Sequence, residues 1–479
     1  MDAAGSTGLR RVLGPLDATC IVVGAVIGVG IFFTPSSIAS QAGSAKMAML
    51  AWAVGGVFAL FGALTFAELG GSHSRSGAQY EILRDAYGPF VGFLFVFCNT
   101  TASLTGTSAI IAITCARHLG VVATGHAPSN AAMLLLAGVL ILCLTTTNLI
   151  GVRWGASVQN VTVFAKVGTL FVVALAAALA GGGQPAGQAA AAATTGGSSG
   201  PTMTMFALLI ATHFSYGGWQ HALWTTGEIR NPQRNVPLAI IAGMVLVVVT
   251  YVLANWAYLS LLGLHGVAES RALAADAVAV VWPVRGKQVI AAAVALSAFG
   301  VLNAQLLSGP RLLYGMAADG RFFSPFKRIS RRWATPYPSI LLVGILSLVL
   351  MYVASIGRDA EGAQKAVDRL LTGVVLIDVV FYLLTGLAVI VLRRRRPDLP
   401  RPVRVPGYPF VPLVYVIGEI AVLIGTFSKW ENVKVSLIGI GWLVAAAICY
   451  WVFFSKGTLE DTRRNGPTDD ATRSSASRG

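Results

Sequence analysis

The sequence predicts an all-α membrane protein of about twelve transmembrane helices: a ten-helix core of two inverted five-helix repeats, then two C-terminal helices. Composition, apolar runs and the placement of basic residues carry that reading. Of 479 residues, 55% are hydrophobic and only 11% charged, with a mean hydropathy of +0.71. Soluble domains carry about 25% charged residues. This chain therefore has too little polar surface to cover a water-facing globule of its size, which excludes a soluble multidomain enzyme.

Crossing a bilayer takes about 20 predominantly apolar residues, and such segments centre near residues 28, 57, 103, 141, 169, 214, 249, 303, 346, 382, 418 and 444. Residues 1–15 form an N-terminal arm, 16–181 hold spans 1 to 5, and 203–396 hold spans 6 to 10. A loop at 397–408 precedes spans 11 and 12 within 409–456. The uncharged, low-complexity stretch 182–202 reads as a flexible outer loop, and 457–479, rich in Ser, Arg, Asp and Thr, as a disordered tail. Arg10 and Arg11 before an apolar run resemble a secretory signal, but the run is longer than a signal's apolar region and has glycines through its middle.

Basic residues orient the chain. Segments on the side of the N-terminus hold 23 of the 35 Lys and Arg, opposite segments hold 10, and Lys166 and Arg311 fall inside spans. The positive-inside rule then places both termini in the cytoplasm of a cell-membrane protein. It also explains the formal net charge of +15 without nucleic acid: the clusters lie in short loops and a tail facing lipid headgroups. Five cysteines sit in or beside apolar stretches without metal-ligand spacing, and packing is the expectation for each.

Spans 1 and 6 are abnormal in the same way. Span 1 carries Gly24, Gly28 and Gly30 in GAVIGVGIFFTP, and span 6 carries Phe214, Ser215, Gly217, Gly218 and Trp219 in ATHFSYGGWQ. Each glycine weakens a helix by about 1 kcal/mol relative to alanine. One such span is explained by close helix packing. A matched pair opening the two halves of a ten-span core instead predicts two helices broken at the midplane, the pattern of a secondary transporter. A break exposes N–H groups at a positive dipole end and carbonyls at a negative one. A small ligand bearing both carboxylate and ammonium matches those ends, and an α-amino acid has that shape.

Those motifs resemble the amino acid-polyamine-organocation superfamily, and within it the L-type amino acid transporter-like permeases. AELGGSHSRSGAQYEILRDAYGP after span 2, FSYGGWQHALWTTGEIRNPQRNVPLAI, SAFGVLNAQLLSGPRLLYGMAADG and RRRRPDLPRPVRVPGYP add to the match, from about Gly14 to Arg404. The resemblance implies the LeuT-type 5+5 fold and sodium-independent amino acid transport by alternating access, through exchange or proton symport, with no cofactor. It implies substrate carboxylate on the N–H groups of Val29 and Gly30, beside Gly28, and ammonium on the carbonyls of Val26, Phe214 and Gly217. Phe214 resembles the family's aromatic gate, with Trp219 beside it. Lys166 matches a span-5 lysine that stands in for sodium against span-1 carbonyls.

Other polar residues leave alternatives open. Asp378 reads as the one acidic residue well inside a span, a candidate proton site or partner for a basic group. Asn99, Ser103, Ser297 and Asn303 either line a pocket or bind helices together. Glu68 and Glu228 resemble inner-gate positions or form loop ion pairs, Arg311 and Asp319 anchor one half of span 8, and His213 neighbours the gate. A polyamine carrier is the alternative, disfavoured by the lack of carboxylates around the breaks. A membrane-embedded enzyme lacks HExxH, GxSxG and phosphate-loop motifs, no metal site is expected, and channel filters are absent. Animal members pair by disulfide through a cysteine between spans 3 and 4. The segment 119–130 has none, so no such heavy chain is expected, and the chain reads as a monomer or homodimer.

Overall fold

A computed structural model describes residues 8–28, 30–179, 201–270, 273, 276–277, 286–355, 360–426 and 430–455. Val29, most of the outer loop and the C-terminal tail lie outside the described residues. Within them every regular element is helical, and the one bridge of β type is parallel, between Leu13 and Ile229. Among the described residues, eight helices are long and apolar enough to cross a membrane: span 2 (Ala45–Ser72), span 3 (Pro89–Thr124), span 4 (Asn130–Ile150), span 5 (Val152–Leu179), span 7 (Pro232–Glu269), span 8 (Ala291–Ala318), span 9 (Tyr337–Ser355) and span 10 (Leu376–Arg395). Span 1 is a pair, Pro15–Val26 and Gly30–Ala42, bent by 44°. Span 6 is Pro201–Tyr216, then four non-helical residues and the short turn His221–Trp224. Phe410–Gly425 and Leu437–Phe453 are shorter apolar helices at the places of spans 11 and 12.

Local chemistry sets several boundaries. Ser44 and Ser129 cap spans 2 and 4 by accepting the N–H of Met47 and Ala132. Proline opens the first turn of spans 1, 3 and 7, where its missing N–H costs no helical bond. Span 7 kinks at Gly263, which takes φ +68°.

The packing repeats with a shift of five spans. Span 1 packs on span 7 as span 6 does on span 2; span 5 meets span 8 as span 10 meets span 3; span 4 meets span 8 as span 9 meets span 3. Consecutive spans alternate in direction, so partners an odd number apart run oppositely, and the two halves are related by inversion. Burial follows this plan: 83% of span 8's apolar window is buried against 28% for span 4. Span 8 is therefore central, and span 4 joins a lipid-facing exterior on which Leu135, Phe171, Tyr352, Ile417 and Trp451 are exposed. Cys20, Cys98 and Cys115 are buried, but Cys143 is exposed on span 4, so packing does not explain it.

The segment after span 2, expected as loop, contains a helix, Ala78–Tyr87. It packs against span 10 and ties the span ends together by charge. Asp85 pairs with Arg84 and Arg396 at 2.8 Å each, while Arg84 and the Tyr80 hydroxyl reach Asp319. Burial pushes the Asp85 carboxyl up, but His73, Arg84 and Arg396 outweigh it and hold it down at about 2. Glu68, at the end of span 2, receives Arg393 through both oxygens and the Val405 N–H.

Candidate binding site between the two breaks

The break in span 1 is held open by side chains from three neighbouring spans. Ile27, at ψ 84°, leaves the helix, and the freed carbonyls are taken up one by one. Lys166 of span 5 donates its ammonium to the Gly24 carbonyl at 3.1 Å and the Ile27 carbonyl at 2.8 Å. Ser297 of span 8 also donates to Ile27, and the Tyr251 hydroxyl of span 7 donates to Val26. Glycine makes room for this approach. A Cβ at Gly24 would sit 1.7 Å from Gln159 Nε2, and one at Gly300 would sit 2.7 Å from both Lys166 Cε and Nζ.

The break in span 6 meets the break in span 1. Gly218 adopts φ +132°, and a Cβ there would lie 3.0 Å from the Ala25 carbonyl carbon and oxygen, so backbone touches backbone only because both Cβ and its strain are absent. The Gly218 N–H donates to the Tyr382 hydroxyl, which donates to Gln220 Oε1. Gly30, opening the second half of span 1, faces Ser215: its Cβ position is 3.4 Å from Ser215 Oγ, a buried hydroxyl without a hydrogen-bond partner. Helix geometry leaves the N–H groups from Gly30 onward, and the last carbonyls of Pro201–Tyr216, without intrahelical partners. A positive and a negative dipole end thus lie side by side.

A cavity of about 170 Å³ opens beside the breaks, below the roughly 300–1,000 Å³ of drug-sized sites. Ala25, Phe214, Gly217 and Gly218 contribute one wall, and Asn99, Ser103, Asp378 and Tyr382 another. Asn99–Ser103 is a turn of π-helix within span 3, a distortion that recurs at functional sites. It aims the Ser103 hydroxyl at Asp378 Oδ1, 2.7 Å away. No Lys or Arg is among the lining residues, so the cavity carries a carboxylate and no fixed cation. Among the described residues no cluster of His, Cys, Asp or Glu could hold a metal ion.

The structure brings together part of the predicted set. Phe214, Gly217, Gly218 and Asp378 share the cavity wall, with Phe214 44% exposed. Gly28 and Gly30 pack instead against Val301 and Ser215, and Val29 is not described. The Val26 carbonyl already accepts from Tyr251 and from the Gly28 N–H at 2.7 Å, which engages both of its lone pairs. Trp219 is fully buried, stacked on Tyr382 at 5.5 Å and perpendicular to Phe66, and is not on the cavity wall. Asn303 binds the Gly155 carbonyl and Gln159, joining spans rather than lining the cavity. Glu228 and Arg311, read separately in the sequence, form a two-point ion pair at 2.8 and 3.1 Å with neither side chain exposed.

One expectation is corrected. Asp378 is not the sole acidic residue inside a span: Glu419 of span 11 is 0% exposed, with Oε2 3.6 Å from His213 Nε2. Its place within the apolar run VYVIGEIAVLIG was the available signal.

A polytopic helical chain with two interrupted helices, their opposed dipole ends and a small cavity beside them is a secondary transporter. The comparisons narrow the class. Residues 13–457 match the model of the amino acid permease family, and the chain belongs to that family. It is 30% identical over 454 residues to the large neutral amino acids transporter small subunit 2 of Mus musculus, covering 94% of this chain and 82% of the relative. It is also 30% identical to the b(0,+)-type amino acid transporter 1 of Homo sapiens, over 94% of this chain and 89% of the relative.

Proposed function

We propose that this chain carries L-amino acids across the cell membrane without sodium, by alternating access around the paired breaks, with both termini in the cytoplasm. The observation that carries the reading is the Lys166 ammonium between the Gly24 and Ile27 carbonyls. Carbonyls freed at a broken helix are ligands for a hard cation such as sodium. Here a fixed charge covalently tied to span 5 fills that role, so no ion need bind to brace span 1.

Substrate recognition then follows from backbone. The carboxylate meets the N–H end beginning at Val29 and Gly30, with the Ser215 hydroxyl alongside. The ammonium meets the Phe214 and Gly217 carbonyls, since the Val26 carbonyl is engaged. Phe214 covers the bound molecule, and Trp219 holds the turn against Tyr382 rather than gating. Recognition by two backbone ends requires both charges of the α-amino acid. In proteoliposomes, unlabelled amino acid should compete with labelled uptake while its decarboxylated or N-acetylated analogue should not. Equal competition by the free amine would overturn this reading in favour of an amine carrier.

Asp378 supports a second reading of the side-chain preference. A cavity with one carboxylate and no Lys or Arg on its wall favours substrates whose side chains carry a cation or several donors. The connector between spans 3 and 4 lacks cysteine, which supports a carrier that works without a disulfide-linked partner chain, alone or as a homodimer.

A further inference from the structure

Glu419 is a buried acid inside a span that the transport reading does not use. It is 0% exposed on span 11, and the group that meets its carboxyl from its own helix is the neutral Tyr415 hydroxyl. A buried carboxylate ordinarily has a cation or several donors around it, because the effective cost of an unpaired buried ion is several kcal/mol. Besides the Tyr415 hydroxyl, the neighbour able to carry a positive charge is His213, with Nε2 at 3.6 Å, longer than the roughly 2.7–3.2 Å of a hydrogen bond. The pair sits near contact without making it.

His213 is the link to the transport site. It lines the substrate cavity, lies one residue before Phe214, and holds the Phe214 ring edge-to-face at 5.5 Å. The titratable groups around the pair are few. Span 10 contributes Tyr382, whose ring is 6.3 Å from His213, and Asp378 one turn before it. Span 11 itself contributes Tyr415, one turn before Glu419, whose buried hydroxyl interacts with the Glu419 carboxyl. Span 2 presents Phe58, which cannot titrate, to both His213 and Tyr415. No lysine or arginine within ion-pairing distance of Glu419 occurs among the described residues.

We propose that His213 and Glu419 form a proton-binding site through which proton movement is coupled to amino acid transport. His213 takes a proton from hydronium in the cavity, leaving water, and passes it from Nε2 to a Glu419 oxygen when the first half of span 6 moves toward span 11. The proton returns by the same two groups when the cavity faces the other side, so one proton crosses and nothing is oxidised or reduced. Because His213 and Phe214 are consecutive, the motion that closes the gate is the motion that changes the His213–Glu419 distance. The Lys166 site plays no part in this step, since its ammonium is committed to span 1.

The proposal rests on the transport reading above, and the test separates the two. Purified protein in proteoliposomes is given an inward proton gradient of one pH unit, which at one proton per substrate sustains up to about tenfold accumulation. Wild type should concentrate labelled amino acid severalfold and lose this with a protonophore. Glu419→Gln should lose accumulation while keeping counterflow exchange, and Glu419→Asp should restore part of it. Accumulation by Glu419→Gln equal to wild type, or wild-type counterflow without gradient-driven accumulation, would overturn the proton site and leave the transport reading standing. Absence of wild-type counterflow with any amino acid would overturn both. Should Glu419→Gln fail to fold, a trapped pH dye in wild-type vesicles decides: addition of substrate outside should acidify the lumen, and no acidification refutes the proposal.

Discussion

Gly300→Ala probes the bracing of span 1 without replacing a polar side chain. The added methyl would lie 2.7 Å from Lys166 Cε and Nζ and 2.9 Å from Thr162 Oγ1, about 1 Å inside the 3.5–4.0 Å at which carbon atoms rest. Relief by a 1 Å retreat of the lysine stretches its bonds, now 2.8 and 3.1 Å, beyond hydrogen-bond range. Hydrogen bonds to charged groups contribute about 1.5–3 kcal/mol each. Ser297 would still satisfy Ile27, so the loss should be about 3 kcal/mol rather than the full sum. Gly168→Ala is the matched control: it lies two residues from Lys166 on the same helix, and its Cβ would meet nothing within 4 Å. The assay is thermal unfolding in detergent alongside initial uptake rates in proteoliposomes. Gly300→Ala should unfold several degrees lower and transport at least tenfold more slowly, while Gly168→Ala should match wild type or exceed it slightly in stability, as expected for alanine in a helix. Equal behaviour of the two variants would refute the claim that Gly300 exists to admit the lysine.

Three further outcomes follow from named contacts. Arg311→Met leaves Glu228 charged and buried and should cost about 3–5 kcal/mol in detergent unfolding, whereas combining it with Glu228→Gln should recover much of that loss; an additive double variant would contradict the pairing. Asp378→Asn should weaken competition by lysine or ornithine at least tenfold relative to leucine if the carboxylate selects cationic side chains; an unchanged ratio would remove that reading. The Asp85 carboxyl, held down at about 2 against an ordinary 3.8, contributes stability that is complete above the ordinary value and lost as pH falls through the folded one. Asp85→Asn should therefore unfold about 2 kcal/mol more easily at pH 7, and its difference from wild type should shrink between pH 4 and pH 2; a constant difference would show that the charge is not what matters.

The parts of this molecule legible in its sequence are those written in local pattern. Apolar runs marked the spans, glycine clusters marked both breaks, and Lys166 stood out because an ionised side chain inside a span is rare. What escaped depended on pairing at long range. Glu228 and Arg311 could be flagged singly, but their union needs spans 6 and 8 folded together. Glu419 and His213 lie on spans 11 and 6, and nothing near either residue names the other. Trp219 beside two glycines reads as a gate, yet whether an aromatic faces a cavity or a core depends on Tyr382, Phe66 and Tyr415 arriving from three other helices. The helix Ala78–Tyr87 was missed because its polar face reads as loop until the ion pairs with Arg396 and Asp319 are counted.

The central claim is that a fixed ammonium does the work of a bound sodium ion at the span 1 break. It is tested by labelled amino acid uptake into proteoliposomes with sodium replaced by choline at constant pH and ionic strength. Uptake by the wild type should be the same in both media. A strong dependence on sodium would mean that a cation binds these carbonyls after all and that Lys166 does not replace it.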